Sequence, residues 1–157
     1  MASDIFAKLG DIKGESLDDK HKDEIEVLSW SWGVTNAGTR SGGGGGGAGK
    51  ASFHDLSFTH KIDKASPVLM KGCATGQHLK EATITRRKAG KGQQEYLTFS
   101  LSDVLVSGYQ TGASEAEVPL DSISLNFSKI EMTYREQTAK GSVPIRVGWD
   151  RKTNKAF

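Results

Sequence analysis

One segment of this 157-residue chain matches a nucleotide-binding motif in residue types and spacing. Residues 44–50 read G-G-G-G-A-G-K and fit G-x-x-x-x-G-K, a pattern whose backbone N–H groups cradle phosphates. Ala51 stands where a phosphate loop needs Ser or Thr for magnesium, and the following "ASFHDLSF" alternates as a strand where a helix is required. The preceding "TNAGTR" has the composition of a loop. We therefore interpret the segment as a glycine-rich loop and not as an ATP site.

The histidines and the single cysteine form no catalytic or metal-binding pattern. His54 and His60 fall on one face of a predicted strand, but six residues at about 3.3 Å each place them roughly 20 Å apart. Cys73 and His78 do not face each other at helical spacing, and a free Cys is commonly buried. The sequence therefore predicts a buried thiol, no cofactor or metal, and no enzyme. We expect all the histidines to lie at the surface or rim: His21, His54, His60 and His78.

The charges nearly balance overall but are unevenly distributed. The 21 basic and 19 acidic residues give a net charge of +2, which does not favour a nucleic-acid-binding protein. Residues 1–26 carry eight acids against four lysines, whereas 80–91 and 140–157 each carry five basic residues against one acid. The first ten residues lack the features of a signal peptide, and no stretch approaches the ~18–20 apolar residues of a membrane span. We expect synthesis in the cytosol, no membrane insertion, and export, if any, without a cleaved signal.

Apolar residues recur mainly with the period of two that is typical of strands. In "EIEVLSWSWGV" the predicted core face is Leu28, Trp30, Trp32 and Val34, with Ser29 and Ser31 opposite. Two long strands switch face, near Asp103 and at Lys129, which predicts a bulge or bend. Pro144 indicates an edge or the start of a strand. The pattern predicts one mainly β domain over residues 1–157, a barrel-like β-sandwich of about seven to nine strands.

One segment, "DKASPVLMKGCATGQH", departs from this period and predicts a short flanking helix over about 66–75. Ser66 is the expected N-cap, Pro67 suits the first helical position, and Gly76 is a natural C-terminal stop. We expect Leu69 and Cys73, one turn apart, to pack against the strands.

Seven segments together give the chain a recognisable pattern over nearly its whole length. They are "DIFAKLGDIKGES", "EIEVLSWSWGV", the glycine run into "GKASFHDLSFTHKIDKASPVLMKGCATGQH", "ITRRKAG", "EYLTFSLSDVLVSGYQTG", "SLNFSKIEMTY" and "VGWD". In this order they resemble the Hcp family, the haemolysin-coregulated tube proteins of bacterial type VI secretion; the tail "RKTNKAF" matches least well. The resemblance implies a fold like that of phage tail tubes and homohexameric rings stacked head-to-tail inside a contractile sheath. It also implies a VgrG spike at the tip, effector proteins carried and protected in the lumen, and secretion without a signal peptide into the medium or a target cell.

The resemblance and the residues together suggest three sets of assembly residues. An extended loop over about 36–50 is implied to reach neighbouring subunits, and its candidate contact residues are Gly42, Gly43, Gly44, Gly45, Gly46, Gly47, Gly49 and Lys50. Ser29 and Ser31 are candidate lumen-facing residues, because they are small, polar and opposite the tryptophans. Since stacked rings need two unlike faces, charged segments are candidates for ring stacking. These candidates are Asp18, Asp19, Glu24, Arg86, Arg87 and Lys88.

The residues alone leave a different class open, a β-barrel module that binds nucleic acid or carbohydrate. The basic run Arg86–Lys88 and the basic tail could contact phosphates, although no aromatic residues are interleaved for base stacking. Trp30 and Trp32 could form a sugar platform, but their alternation with Leu28 and Val34 favours a position in the core.

Overall fold

The structure, a computed structural model, describes residues 4–38, 51–88, 94–136 and 143–157. Within these ranges the chain forms eleven strands and one helix, which agrees with the predicted mainly β class. Helix α1 spans Ser66–Thr75 and lies between β6 and β7. The strands are β1 (Ile5–Leu9), β2 (Ile25–Glu26), β3 (Ser29–Ser31), β4 (Val34–Asn36), β5 (Ala51–Phe53), β6 (Leu56–Lys61), β7 (His78–Arg87), β8 (Glu95–Gly112), β9 (Leu120–Tyr134), β10 (Ile145–Asp150) and β11 (Lys155–Ala156).

The long strands β8 and β9 form the spine of a nine-stranded antiparallel sheet. The order along it is β11-β10-β9-β8-β7-β1-β2, while β6 also pairs with β9, and β3 pairs with β6. On one side β9 pairs with β8 along most of its length. On its other side, β9 pairs with β6 through its first half and with β10 through its second half. The strands β4 and β5 form a separate two-stranded sheet.

A short crossover between β2 and β3 gives this sheet its barrel-like shape. The N–H of Val27 donates to the carbonyl of Ile5 on β1, and the N–H of the next residue, Leu28, donates to the carbonyl of Thr59 on β6. The hydrogen-bonding partner of the chain therefore changes from β1 to β6 between two consecutive residues. The strand ladder of the described residues does not close completely, so the architecture is the predicted barrel-like sandwich rather than a closed barrel.

Three adjacent strands switch their apolar face at the same level. The partners Ala82, Leu101 and Ile130 are buried in one row, and the partners Leu79, Val104 and Phe127 are buried in the row after the switch. Asp103 lies between these rows with φ 52°, and Lys129 is exposed there, so the predicted bend near Asp103 and Lys129 is confirmed. The register shifts lie elsewhere, between Val106 and Gly108 and between Arg86 and Arg87.

Helix α1 has the predicted range but begins differently. Gly76 ends it in the left-handed conformation at φ 68°, as predicted. Ala65, not Ser66, occupies the N-cap position, and no side chain caps the helix there. The Ser66 hydroxyl instead accepts a hydrogen bond from the N–H of Asp63 at 3.0 Å and donates to the carboxylate of Asp121. Ser66 therefore ties the helix to β9.

The predicted burial of core residues is confirmed in part. Leu69 is buried, whereas Cys73 is only half-buried. Trp30 packs edge-on against Phe99 with ring centroids 4.9 Å apart, so it belongs to the core and not to an exposed sugar platform. Leu28 and Val34 are exposed, contrary to prediction, because the crossover reverses the face at Leu28 and Val34 lies in the separate two-stranded sheet. No helix in the described ranges is both long and apolar enough to span a membrane.

Candidate functional site

Short polar side chains occupy part of the outer face of four adjacent strands, β3, β6, β9 and β8. Two rows of direct cross-strand partners form this polar wall: Ser29–Thr59–Ser122–Gln110, and Ser31–Ser57–Ser124–Gly108. The Ser29 and Thr59 hydroxyls lie 2.6 Å apart, and those of Ser57 and Ser124 lie 3.2 Å apart. The structure therefore brings Ser29 and Ser31 together at one edge of a continuous surface in which no long side chain other than Gln110 occurs.

Gly108 keeps this wall tightly packed beside Ser124. A Cβ atom at position 108 would lie 3.3 Å from both the Cβ and the Oγ of Ser124, closer than most real contacts. The wall continues past Gly108, where Asp55 accepts hydrogen bonds from Ser107 at 2.6 Å and from Asn126 at 2.9 Å. The alternation in "LSFT" places Ser57 and Thr59 opposite Leu56 and Phe58, and "SISLN" alternates in the same way, but the sequence analysis named only Ser29 and Ser31 as candidates for the lumen.

A second surface is apolar. It lies on the sheet of β8, β9 and β10, where the side chains on the core side become exposed. The row Leu101–Ile130–Trp149 faces the core, and the next two rows on the same face are Phe99–Met132–Val147 and Leu97–Tyr134–Ile145. Exposure rises along these rows from 4% at Ile130 to 43% at Met132, 61% at Val147 and 66% at Ile145. We call Met132, Tyr134, Ile145 and Val147 the open apolar face.

The open apolar face continues the hydrophobic core, and no second layer formed by the described residues lies over it. Contiguous exposed apolar surface of this kind is typical of a protein–protein contact. Its outer strand, β10, pairs with β11 at Trp149 and Asp150, and in the described part of the chain no other strand pairs with residues 145–147 on that side, so they lie at a sheet edge. This position agrees with the edge that Pro144 predicted.

The candidate stacking charges are not all available at the surface. Arg87 is only 2% exposed, and its Nη2 lies 2.6 Å from Asp18 Oδ2, with Asp4 Oδ1 3.6 Å from its Nε. Its guanidinium stacks on the ring of Phe6 at 4.8 Å. The hydrogen bond from Arg87 lowers the pKa of Asp18 to about 2. Asp18 and Arg87 thus neutralise each other within one chain, and the basic cluster loses its central member.

The other predicted assembly residues differ in position. Asp19, Arg86 and Lys88 are exposed, while Glu24 lies 3.0 Å from His21 Nδ1. The Asp18–Arg87 pair places the acidic loop beside residues 86–88, so these two segments share one end of the molecule. The loop candidates Gly42–Gly47, Gly49 and Lys50 lie outside the described residues.

Two of the histidines correct the expectation of surface positions. His54 and His78 are exposed as predicted, but His21 and His60 are buried. His21 is stacked on Phe6 with ring centroids 4.3 Å apart, and its Nε2 contacts Glu95 Oε1 at 2.7 Å. His60 follows the alternation of Leu56 and Phe58 into the core, which is why its ring is buried.

Polar residues surround His60 and join helix α1 to the sheet. His60 Nε2 lies 3.3 Å from Asp121 Oδ2, and its Nδ1 lies 3.7 Å from Asp63 Oδ2. Asp121 also accepts hydrogen bonds from Ser66 and from the Tyr109 hydroxyl. Burial raises the pKa of Asp63 and of Tyr109. No group of three described His, Cys, Asp or Glu side chains has an arrangement that could hold a metal ion.

Fold and surfaces together define a class: a β-sandwich module with one small polar wall and one open apolar face, suited to contacts with other protein chains. The family model described as "Type VI secretion system effector, Hcp" matches residues 6–134. Protein hcp1 of Pseudomonas aeruginosa is 47% identical over 159 residues, covering 98% of both chains. The chain belongs to the Hcp family of type VI secretion system proteins.

Solved structures are similar over the same extent. The crystal structure of Hcp1 from Salmonella typhimurium is 40% identical, covers 100% of both chains and gives a TM-score of 0.84. A structure described as a type six secretion system protein is 31% identical, covers 99% of this chain and 100% of its own, and gives a TM-score of 0.90. The similarity therefore includes the strands that carry the polar wall and the open apolar face.

Proposed function

We propose that this protein is the structural subunit of a type VI secretion tube, built from homohexameric rings that stack head-to-tail. The observation that carries the proposal is the pairing of two unlike surfaces on a member of the Hcp family. The polar wall suits the lining of a channel, and the open apolar face suits permanent burial against another copy. Neither role requires catalysis or a cofactor.

The polar wall supports a position at the lumen. Its serines and threonine are short and partly hydrogen-bonded to each other, so these two rows carry no large apolar group; the neighbouring row carries Lys61 and Leu120. An effector protein that must be carried and later released gains little binding energy from such a surface, because large binding contributions come from buried aromatic residues and arginine. Ser29 and Ser31 thus remain our lumen-facing candidates, together with Ser57, Thr59, Ser122 and Ser124.

The open apolar face supports a ring. Burying apolar surface stabilises association by about 25 cal/mol per Å² before the costs of association are subtracted. A head-to-tail contact between identical chains closes into a ring when its rotation divides a full turn. We assign the open apolar face to the contact between neighbouring subunits of one ring.

The remaining partners follow from the proposed tube. A contractile sheath surrounds the stacked rings, a VgrG spike caps them, and effectors occupy the lumen, where the ring protects them. The protein is made in the cytoplasm and leaves with the expelled tube, without a signal peptide. The glycine-rich loop is proposed to contact a neighbouring subunit, and deletion of Gly42–Gly47 should spare folding and impair stacking or secretion.

Native mass spectrometry and negative-stain electron microscopy of the purified chain test this function. We expect a mass of six chains and ring-shaped particles with a central hole. A folded monomer at micromolar concentration, without rings, would contradict the proposal. Measurement of the mass at several protein concentrations separates a stable ring from concentration-dependent aggregates.

A further inference from the structure

A cavity of about 510 Å³ lies between strand β5, the bend of β9 and the turn that follows β10. Three aromatic residues line it, Phe53, Phe127 and Trp149. Its charged lining consists of Arg151 and Lys152, and none of the described acidic residues lines it. The cavity is therefore a positively charged space beside aromatic residues.

Contacts within the chain fix the guanidinium of Arg151 in this cavity. Its Nη1 donates to the carbonyl of Phe127 at 2.9 Å. Its Cζ lies 5.5 Å from the ring centroid of Phe127 and 6.0 Å from that of Phe53, distances at which a cation is attracted to a ring face. The backbone N–H of Arg151 donates to the carbonyl of Ser128 at 2.8 Å. The side chain is thus positioned before any ligand binds.

No carboxylate of the described residues neutralises Arg151. All 19 acidic residues of the chain lie in the described ranges, and none of them forms an ion pair or a hydrogen bond with Arg151. The acids on the adjoining elements have other partners, and these acids are Asp55, Asp103 and Asp150. Because Arg151 is half-buried and partial burial disfavours an unpaired charge, an anion bound beside it would relieve an unfavourable state.

We propose that this cavity is a binding site for a carboxylate, with Arg151 receiving the carboxylate and the aromatic residues contacting the body of the ligand. The bond to Phe127 uses one N–H of the guanidinium, and the other N–H groups have no partner among the described residues. The planar fork of these donors matches the two oxygens of a carboxylate. The aromatic lining favours a carboxylate on an apolar body over inorganic phosphate. This inference is independent of the proposed tube.

Fluorine NMR of fluorobenzoate mixed with the purified chain tests the site, because bound ligand gives a broader signal. Fluorobenzamide has nearly the same shape and no charge, so it is the matched control. We expect fluorobenzoate to bind at least about tenfold more tightly than fluorobenzamide, because hydrogen bonds to a charged group are stronger than neutral ones. Equal binding of the two compounds, or no broadening of the fluorobenzoate signal, would overturn the proposal. Inorganic phosphate that displaces fluorobenzoate at equal concentration would contradict the assignment to carboxylates.

Arg151→Gln and Lys152→Gln test which cation binds the carboxylate. Each removes one positive charge from the cavity, but the Lys152 side chain is 70% exposed and contacts Asp103 at 3.3 Å. We expect Arg151→Gln to weaken fluorobenzoate binding by at least about tenfold and Lys152→Gln by less than about threefold, since exposed charges contribute little. Arg151→Lys keeps the charge without the fork and should fall between them. Thermal unfolding checks the fold of each variant. Equal weakening by Arg151→Gln and Lys152→Gln would contradict the role of Arg151.

Two concentrations of the unaltered chain distinguish the sources of the carboxylate, a free organic acid or an acidic side chain of another copy. Native mass spectrometry gives the oligomeric state of each sample. Broadening of the fluorobenzoate signal in samples that contain rings would show that the cavity is open to a free organic acid. Broadening only in samples of single chains would show that a carboxylate of another copy fills the cavity in the ring. Absence of broadening in both samples would overturn the site.

Discussion

The two halves of strand β9 face different surroundings although both follow the same alternation of side chains. In the first half, Ile123 and Leu125 are fully buried, and Ser122 and Ser124 face outward in the polar wall. In the second half, Ile130 is still buried, but the next two side chains on the core side, Met132 and Tyr134, are exposed. The bend at Asp103 and Lys129 separates the halves. The outer side of the first half is polar, whereas the core side of the second half is left partly exposed by the described residues.

This difference shows how one chain can combine stability with assembly. The first half of β9 has β6 on one side and β8 on the other, and its buried residues join the core of the same chain. The second half has the short strand β10 beside it, and its Met132 and Tyr134 are 43% and 40% exposed among the described residues. We therefore expect folding to depend on the first half and, in the proposed ring, association to depend on the second.

Ile145→Asp tests the apolar half and should have the largest effect. Ile145 is 66% exposed in the single chain, so folding should be unchanged, but a carboxylate at this position would be buried in a ring. Burying an unpaired charge costs several kcal/mol, and about 3 kcal/mol corresponds to roughly a 100-fold weaker association. Native mass spectrometry should show monomers at concentrations where the unaltered chain forms rings.

Ser31→Asn is the matched control on the polar wall. This substitution changes an exposed polar residue for another and should leave the ring intact. Rings formed equally by the Ile145→Asp and Ser31→Asn chains would show that the open apolar face is not a subunit contact. Circular dichroism of both variants should match that of the unaltered chain.

Asp103→Asn tests the bend that separates the two halves. Hydrogen bonds from Ser128, His78 and Lys152 lower the pKa of Asp103 to about 2, from a usual 3.8. Because the pKa of the folded state is lowered, ionised Asp103 stabilises the fold above pH 4, and this contribution is lost as pH falls from about 4 to about 2. Asn tolerates the positive φ of this position and keeps one acceptor oxygen, so the backbone should persist.

The measurement is the difference in Tm between the unaltered and Asp103→Asn chains as a function of pH. The difference should be a few degrees near neutral pH and should shrink from pH 4 to pH 2. A difference that is constant over this range would show that the charge of Asp103 does not stabilise the bend. Other carboxylates titrate in both chains and cancel in the comparison.

The sequence predicted the local features of this fold better than its long-range contacts. Alternation located the strands and both face switches, and the helix limits followed from Pro67 and Gly76. The pairing of Arg87 with Asp18 could not be predicted, because 69 residues separate two charges that each look solvated in the sequence. The alternation of "LSFTHK" puts His60 on the same face as Leu56 and Phe58, so the burial of His60 could have been predicted from the pattern. The polarity of its ring favoured a surface position instead.

The two proposed assembly surfaces also differ in how far the sequence predicted them. Ser29 and Ser31 were identified from one strand, but their wall depends on a register that joins residues as distant as Ser57 and Ser124. Apolar alternation in "SVPIRVGWD" identified the face of Ile145 and Val147 correctly and carried no information about the layer over it. Whether a face is covered depends on the rest of the chain, or on another copy, and not on the strand itself.

The double substitution Ser57→Ala and Ser124→Ala tests the polar half and should have the smallest effect. The two hydroxyls share a 3.2 Å hydrogen bond on a partly exposed surface, and removing both partners leaves no buried group unsatisfied. The free energy of unfolding should change by no more than about 0.5 kcal/mol, and the ring should persist. Urea unfolding followed by circular dichroism measures the free energy of unfolding, and native mass spectrometry detects the ring. A destabilisation of more than about 2 kcal/mol would mean that the wall is part of what holds the sandwich together, and that the two halves of β9 differ less than their exposed side chains indicate.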